Sequence, residues 1–357
     1  MSHLNLRSKR TWLALILIAI IATTLISAFA WTAGWIGKRQ TTESLVMEAV
    51  QPFPAGFRRA HGKGICYVGN FRPNKDIMSL STARVFSQPN IPIVGRFSIG
   101  TGDPHAVDSS TKTISMALLL TTDDKQQWRM AMNNVPYFPT HNPEGFLAMR
   151  QATAPNPETG KPDPERVARF LQEYPEAEKF LKMTATAAPP DSFANSTFHS
   201  VNAFLLVSAD GQKQPIRWMM RPHEAQLSLA ETKQQHTTDN FLFDDLRHTL
   251  EEQPLMWDLV LQLAQPNDPI NDPSQPWPQD RQQIIAGTLQ VTSVVDQAKG
   301  ACRDINFDPS IVPAGIEVSD DPILSARSGA YSHSFNRRER EIGYGKATDA
   351  VGKQEVK

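Results

Sequence analysis

Three short stretches carry residue types that can do chemistry: Arg58-Arg59-Ala60-His61-Gly62-Lys63-Gly64, Asn133-Asn134-Val135-Pro136-Tyr137-Phe138 and Arg327-Ser328-Gly329-Ala330-Tyr331. A histidine among glycines can act as a general base that takes a proton from an incoming group and returns it to a departing one. A hydrogen-bonded core histidine has the same local sequence. Asn133 offers an amide donor to an oxygen that gains charge, and equally reads as a turn residue. Arg327 and Tyr331 stand four apart, so on a helix they share one face, and the guanidinium is expected to donate to the phenol oxygen. With ferric iron present that cation favours a phenolate ligand; without it the pair is an ordinary helix-face contact.

The rest of the chain must position these residues. Twenty-seven prolines against 19 glycines in 357 residues imply many rigid turns and long connections, which suits a loop-rich α+β protein better than a helical bundle. With 36 basic and 37 acidic residues spread along the chain, there is no electrostatic case for a nucleic-acid partner. His-Glu-x-x-His, Cys-x-x-Cys, Gly-x-Ser-x-Gly and a lysine-ended phosphate loop are all missing, which leaves zinc hydrolysis, the commonest serine hydrolases and P-loop chemistry without support. Cys66 and Cys302 are the only cysteines; two buried free thiols are the expected state, with a long-range bridge open to them in an oxidising compartment.

Strands are expected over His61–Phe71, Ile91–Ile99, Ile114–Thr122, Ala203–Ala209 and Ile216–Met220, with Asp210-Gly211 as a hairpin turn and the glycines near His61 admitting something flat against the backbone. A helix over Pro164–Met183 puts Val167, Phe170, Leu171, Tyr174, Ala177 and Leu181 on one face, and Asp244–Leu250 suggests a shorter one. Pro254–Leu263 reads as either helix or strand, and the Pro/Asn/Asp-rich stretch from Gln265 to Pro278 as a loop. Beyond Phe335 the sequence turns highly charged, and residues 341–357 read as a disordered tail.

From Thr11 to Gly37 the chain carries no charge over 27 residues, where about 20 suffice to cross a bilayer. Arg7, Lys9 and Arg10 precede this run and Trp31 and Trp35 lie near its far end, which favours residues 1–10 in the cytoplasm, a signal anchor over 11–37 and a linker over 38–49. The competing reading is a secretory signal cleaved near Ala28-Phe29-Ala30. Either way the domain beginning near residue 50 is exported, and a bacterial periplasm is the natural destination.

Read together and in order, the three stretches resemble the haem-containing monofunctional catalases, and most closely the short catalase-related peroxidases. The resemblance runs from about Val50 to Arg338 and takes in Arg96-Phe97-Ser98, Phe198 to Phe204, Pro276-Trp277-Pro278, Gly287-Thr288-Leu289 and Asn306 to Glu317. It implies a haem-binding domain over residues 50–340 built on an eight-stranded antiparallel β-barrel with surrounding helices, preceded here by the apolar helix, and haem b as cofactor. It also implies His61 as distal histidine, Asn133 as distal asparagine, and Tyr331 as axial tyrosinate beside Arg327. Ser98 falls where the family hydrogen-bonds the back of the distal imidazole, Phe138 and Phe146 where rings cover the haem, and Arg58, Arg96 and Arg338 where arginines bind its propionates.

Some positions depart from the pattern. The chain stops soon after the tyrosine segment, so NADPH binding and the interlocked tetramer of large catalases are not expected; a monomer or dimer is. Ala60 replaces a valine at the neck of the substrate channel, which suggests access for bulkier hydroperoxides. Asn202 stands in place of a histidine that contacts the proximal arginine, and the channel region is altered around Asp108 to Lys112. These changes weigh against efficient hydrogen peroxide disproportionation. The expected activity is a peroxidase that reduces hydrogen peroxide and small organic hydroperoxides with an unidentified electron donor. A hydroperoxide isomerase and a haem-storing or haem-sensing protein remain the alternatives.

Overall fold

The computed structural model describes residues 9–32, 54–223 and 238–347. Helix α1 (Lys9–Thr32) is long and apolar enough to cross a membrane, its 24 residues spanning roughly 36 Å against a hydrocarbon core of about 30 Å. Arg7, residues 33–37 of the expected span, Trp35, the linker over 38–49 and residues 348–357 of the expected tail lie outside the described residues.

The centre of the fold is antiparallel sheet: β1 (Gly64–Pro73), β2 (Ile91–Ile99), β3 (Ile114–Thr121), β4 (Gln127–Asn133), β5 (Phe198–His199), β6 (Phe204–Val207), β7 (Lys213–Pro222), β8 (Leu255–Leu263), β9 (Gln283–Asp296) and β10 (Ile316–Val318). Pairing runs β1-β2-β3-β4-β5-β7-β8-β9 and back to β1, so eight strands close into a barrel, while β6 and β10 extend from β7. The register of β9 shifts at Val68/Gly69 against β1 and at Leu259/Val260 against β8. Such bulges bend the strands toward closure. At Gly69 a Cβ would stand 1.9 Å from the Gln290 carbonyl oxygen, so only glycine fits there.

Alternation sorts each strand into two faces. Phe97 and Ile99 of β2, Met116 and Leu118 of β3, and Met130 and Met132 of β4 enter the barrel core, where Phe97 meets Tyr67 at 4.6 Å, Phe193 at 5.1 Å and Trp257 at 5.7 Å between ring centroids. The buried Tyr67 hydroxyl donates to the Ala117 carbonyl. The intervening Arg96, Ser98, Ser115, Ala117, Ala131 and Asn133 line a cavity on the outer face.

Helices α2 (Pro143–Ala152), α3 (Pro164–Glu173), α4 (Ala177–Thr186), α5 (Phe241–Glu252) and α6 (Pro322–Gly343) surround the barrel. Where one helix over 164–183 was expected there are two, because Pro175 cannot donate a backbone hydrogen bond and forces Tyr174 out of helical geometry (φ −126°, ψ 71°). The stretch 254–263, open between helix and strand in the sequence, forms strand β8 from Leu255 to Leu263, preceded by Pro254. Helix α6 runs past Phe335 to Gly343, so the expected tail boundary at residue 341 falls inside a helix. Glu341 accepts from the Gly56 amide at 2.8 Å and is ion-paired with the buried Arg59. These contacts, invisible to composition, tie that end of the helix to the domain.

Cys66 and Cys302 form a disulfide rather than the expected free thiols. Strand β9 ends beside β1, Cys66 opposite Val295. The turn in which Lys299 and Gly300 donate to the Asp296 carbonyl then folds the chain back over Cys66. Gly300 leaves the room, since a Cβ there would lie 2.4 Å from the Cys66 sulfur. Replacing both cysteines with alanine should lower unfolding stability by about 2–4 kcal/mol, read as a lower urea midpoint; an unchanged midpoint would show that the bridge does not constrain the fold.

Candidate active site

The cavity on the outer face of β2, β3 and β4 has a volume of about 520 Å³, within the roughly 300–1,000 Å³ of ligand pockets. All ten residues singled out from the sequence line it: Arg58, His61, Arg96, Ser98, Asn133, Phe138, Phe146, Arg327, Tyr331 and Arg338. Strand register gathers part of the set, placing Ser98 opposite Ser115, Ser115 opposite Asn133, and Asn133 opposite His199.

His61 precedes β1 in left-handed backbone geometry (φ 58°), uncommon for a residue with a side chain and costly unless its surroundings hold it. They do so at Gly62, whose amide donates to the Thr101 carbonyl at 2.7 Å and whose missing Cβ would lie 2.3 Å from the Gly102 oxygen. Ser115 Oγ lies 3.2 Å from His61 Nδ1. Ser98, expected in that role, is buried on the neighbouring strand directly across the ladder from Ser115, and identifying which strand faces the imidazole requires the register. Removal from water, and then the charges of Arg96 and Arg327, push the His61 pKa down to about 4, so at neutral pH the ring is uncharged and able to accept a proton. The Val135 amide donates to Asn133 Oδ1 at 2.9 Å, which leaves the Asn133 NH2 as the donor end. Phe138 and Phe146 stand 4.9 Å apart, centroid to centroid.

Helix α6 lines the cavity with Arg327, Tyr331, Ser334 and Arg338, Tyr331 packing in one cluster with Ala117 of β3. Its N-cap is Asp321, which accepts from the Ile323 amide, with Pro322 in the first turn. Arg327 does not bond the Tyr331 hydroxyl as expected; its guanidinium lies 5.8 Å from the ring centroid. Its donors are committed elsewhere, to the Ala131 carbonyl at 2.8 Å and to Asn202 Oδ1. Asn202 in turn donates to Asp321 at 2.7 Å, so an asparagine links a buried carboxylate to Arg327.

Arg58, Arg96 and Arg338 form the third feature. One guanidinium nitrogen of Arg58 donates to the carbonyls of Cys302, Arg303 and Ile305 at 3.0, 3.2 and 3.0 Å. Arg96 donates to Gln297 at 2.7 Å and to the Gly62 carbonyl at 3.1 Å. A Cβ on Gly64 would lie 2.3 Å from the Arg96 guanidinium, so the glycines near His61 admit a carbonyl and a side chain at close range. Burial first, and then repulsion from Arg338, lower the Arg96 pKa to about 9; burial and repulsion from both neighbours lower that of Arg58. Arg338 Nε is buried without a hydrogen-bond partner. Three cations with mostly neutral partners fit a ligand bearing carboxylates.

Residues 42–343 match the sequence model of the Catalase family. The chain belongs to the catalase family. It is 35% identical to the "Catalase-related peroxidase" of Synechococcus elongatus, over 93% of this chain and 97% of that one. It is 31% identical to the protein of the same name from Mycolicibacterium paratuberculosis, over 79% and 89%. Among solved structures, a bacterial catalase aligns with a TM-score of 0.67 at 20% identity, covering 88% of this chain and 62% of that one. Catalase A from Saccharomyces cerevisiae aligns at 0.69 and 19%, covering 86% and 65%. The chain thus spans slightly under two thirds of those catalases, and the likeness establishes the catalase fold.

Haem, which the family binds, fits the donor set. The cavity holds three guanidinium groups (Arg58, Arg96 and Arg338) that would suit its two carboxylates, a phenol (Tyr331) that could offer iron an oxygen, and two aromatic rings (Phe138 and Phe146). Ser115, Gln297 and the Asp321–Asn202 link carry no short motif, and only strand register or packing reveals them.

The two depressed histidines have a thermodynamic consequence. His199, like His61, is pushed down to about 4, in its case by burial alone. In the unfolded chain each takes up a proton near pH 6.5, in the folded cofactor-free protein only near pH 4. Between those values the unfolded state holds more protons. Stability of the cofactor-free protein should therefore be full above pH 6.5 and fall as pH drops toward 4, and His61→Gln should flatten part of that slope. A stability profile level from pH 7 to 4.5 would contradict the assignment.

Proposed function

We propose that this chain is a haem peroxidase that reduces hydrogen peroxide and small organic hydroperoxides with electrons from an external donor. The observation that carries the reading is that one cavity gathers an uncharged His61, the Asn133 amide, the Tyr331 phenol and the guanidinium groups of Arg58, Arg96 and Arg338. The names of the two relatives point the same way.

Haem b, when bound, supplies a redox-active ferric iron at which a peroxide O–O bond can be split. The protein contributes the placement of charge and protons. Arg58, Arg96 and Arg338 would hold the propionates by paired hydrogen bonds. Tyr331 Oη would be the protein's ligand to the iron, and the Arg327 guanidinium, 5.8 Å from its ring centroid, would favour the phenolate form. His61, neutral at working pH, takes the proton of the incoming hydroperoxide and returns it to the departing oxygen. Ser115 fixes the imidazole from behind through Nδ1, which leaves Nε2 for that transfer. The Asn133 NH2 donates to the oxygen on which charge accumulates. Overall, one hydroperoxide, two electrons and two protons give an alcohol (or water) and water, with the donor oxidised by two electrons.

Residues 11–37 act as a single-pass inner-membrane anchor, or alternatively as a signal cleaved near Ala30, with the domain in the periplasm. The disulfide supports an oxidising compartment for the domain.

The test is an absorption spectrum after haem supplementation, for wild type and Tyr331→Phe, followed by donor oxidation on adding hydrogen peroxide or cumene hydroperoxide. Stoichiometric high-spin ferric haem that is lost in the variant, together with donor oxidation in wild type, is the expected result; wild type without stoichiometric haem overturns the reading. His61→Ala should retain haem and lose roughly two to four powers of ten in turnover, whereas undiminished turnover would remove His61 from the chemistry.

A further inference from the structure

Helix α2 turns one face to the cavity through Pro143, Phe146 and Arg150, positions three and four apart and so neighbours on the helix surface. Ala60, Gly100, Ser110 and Arg150 are the exposed residues among those that line the cavity. Three of these are small and uncharged. Arg150 is the charged one. Among the described residues no carboxylate or hydrogen-bond acceptor engages its guanidinium, and burial is the one cause acting on its pKa, which lies below the ordinary value. It is not among the charges that act most strongly on His61, Arg58 or Arg96, so it stands apart from the arginines assigned to the propionates. The next residue toward the cavity along its own helix face is Phe146, and Ala60 adjoins His61. Arg150, Phe146, Ala60 and His61 thus line one cavity.

We propose that Arg150 is an anion-recognition site at the cavity mouth, which selects hydroperoxides carrying a carboxylate on an apolar body. The apolar portion lies along Phe146 and Phe138, the carboxylate pairs with Arg150 at the rim, and the peroxide group reaches His61. A planar guanidinium suits a carboxylate through two parallel hydrogen bonds. The small side chains of Ala60 and Ser110 leave room beside it. The proposal deepens the peroxidase reading and rests on it for the reacting group, but not for the binding of the anion.

Two hydroperoxides with the same reacting group separate the effect of the charge: cumene hydroperoxide and its para-carboxylated derivative, each with guaiacol as a neutral donor and the haem-loaded full chain. In wild type the acid should show a KM about tenfold lower, equivalent to about 1.4 kcal/mol. In Arg150→Gln the ratio of the two KM values should fall to about one, and Arg150→Lys should restore part of it. Binding of the unreactive 4-isopropylbenzoate, measured by calorimetry on the same protein, should weaken about tenfold in Arg150→Gln. Equal KM values in wild type, a preference that survives Arg150→Gln, or unchanged 4-isopropylbenzoate binding would each overturn the proposal. If neither hydroperoxide is turned over, the peroxidase reading fails, while the 4-isopropylbenzoate titration still decides the role of Arg150.

Discussion

The guanidinium groups of Arg58, Arg96 and Arg338 are buried close enough that Arg96 and Arg338 depress the proton affinity of Arg58, and Arg338 that of Arg96, and much of the surrounding structure serves to keep them there. Like charges out of water oppose folding, and the carboxylates nearby, Asp304 and, at 3.4 Å from Arg338, Glu339, offset the cluster only in part. The protein meets this with neutral dipoles: three carbonyls around Arg58, the Gln297 amide and the Gly62 carbonyl at Arg96. Dipoles position the cations without cancelling them. A ligand with two carboxylates therefore gains more here than at a neutralised site, and its binding stabilises the folded chain by linkage. The disulfide contributes to the same end, since Cys302 supplies one of the carbonyls holding Arg58 and is tied to β1 through Cys66.

The barrel makes this arrangement possible by keeping core and chemistry on opposite faces of the same strands. Phe97 fills the interior while its neighbours Arg96 and Ser98 face outward, and the same holds for Met116 between Ser115 and Ala117. A slip of one residue would exchange the two sets and place Arg96 in the aromatic core, so register is strongly specified. Ala117 and Ala131, opposite Arg96 in successive strands, leave the space into which larger residues on α6 extend.

Sequence alone carried much of this. Strand β2 had its observed limits, the Asp210-Gly211 turn is present with Gly211 at φ 80°, and the residues expected at the site share one cavity. What was missed has identifiable causes. Strand β4 follows a turn through Asp123-Asp124-Lys125 in which Lys125 takes φ 70°, so the usual glycine signal is absent. Helix α2 starts at Asn142-Pro143, an N-cap followed by proline in the first turn, a signal present in the sequence but hidden beside the Asn133 to Phe138 stretch. The disulfide and the choice of Ser115 over Ser98 depend on which strands become neighbours, and no local pattern encodes that.

Helix α6 shows how a buried element can read as a tail. Its functional positions, Arg327, Tyr331, Ser334, Arg338 and Glu341, recur at alternating intervals of four and three residues, the spacing that keeps one face of a helix toward a partner. In most helices that face is apolar; here it meets a polar cavity and a cation, so hydropathy finds no stripe. The same face reaches the distal segment. The Arg59 amide donates to Ser334 at 3.4 Å, and Glu341 holds the Gly56 amide and the Arg59 guanidinium, two residues before His61. One rigid helix thus carries the candidate iron ligand and ties down the chain segment that carries the candidate base. The relative placement of His61 and Tyr331 therefore rests on contacts made by α6, those of Ser334 and Glu341 among them, as well as on the barrel.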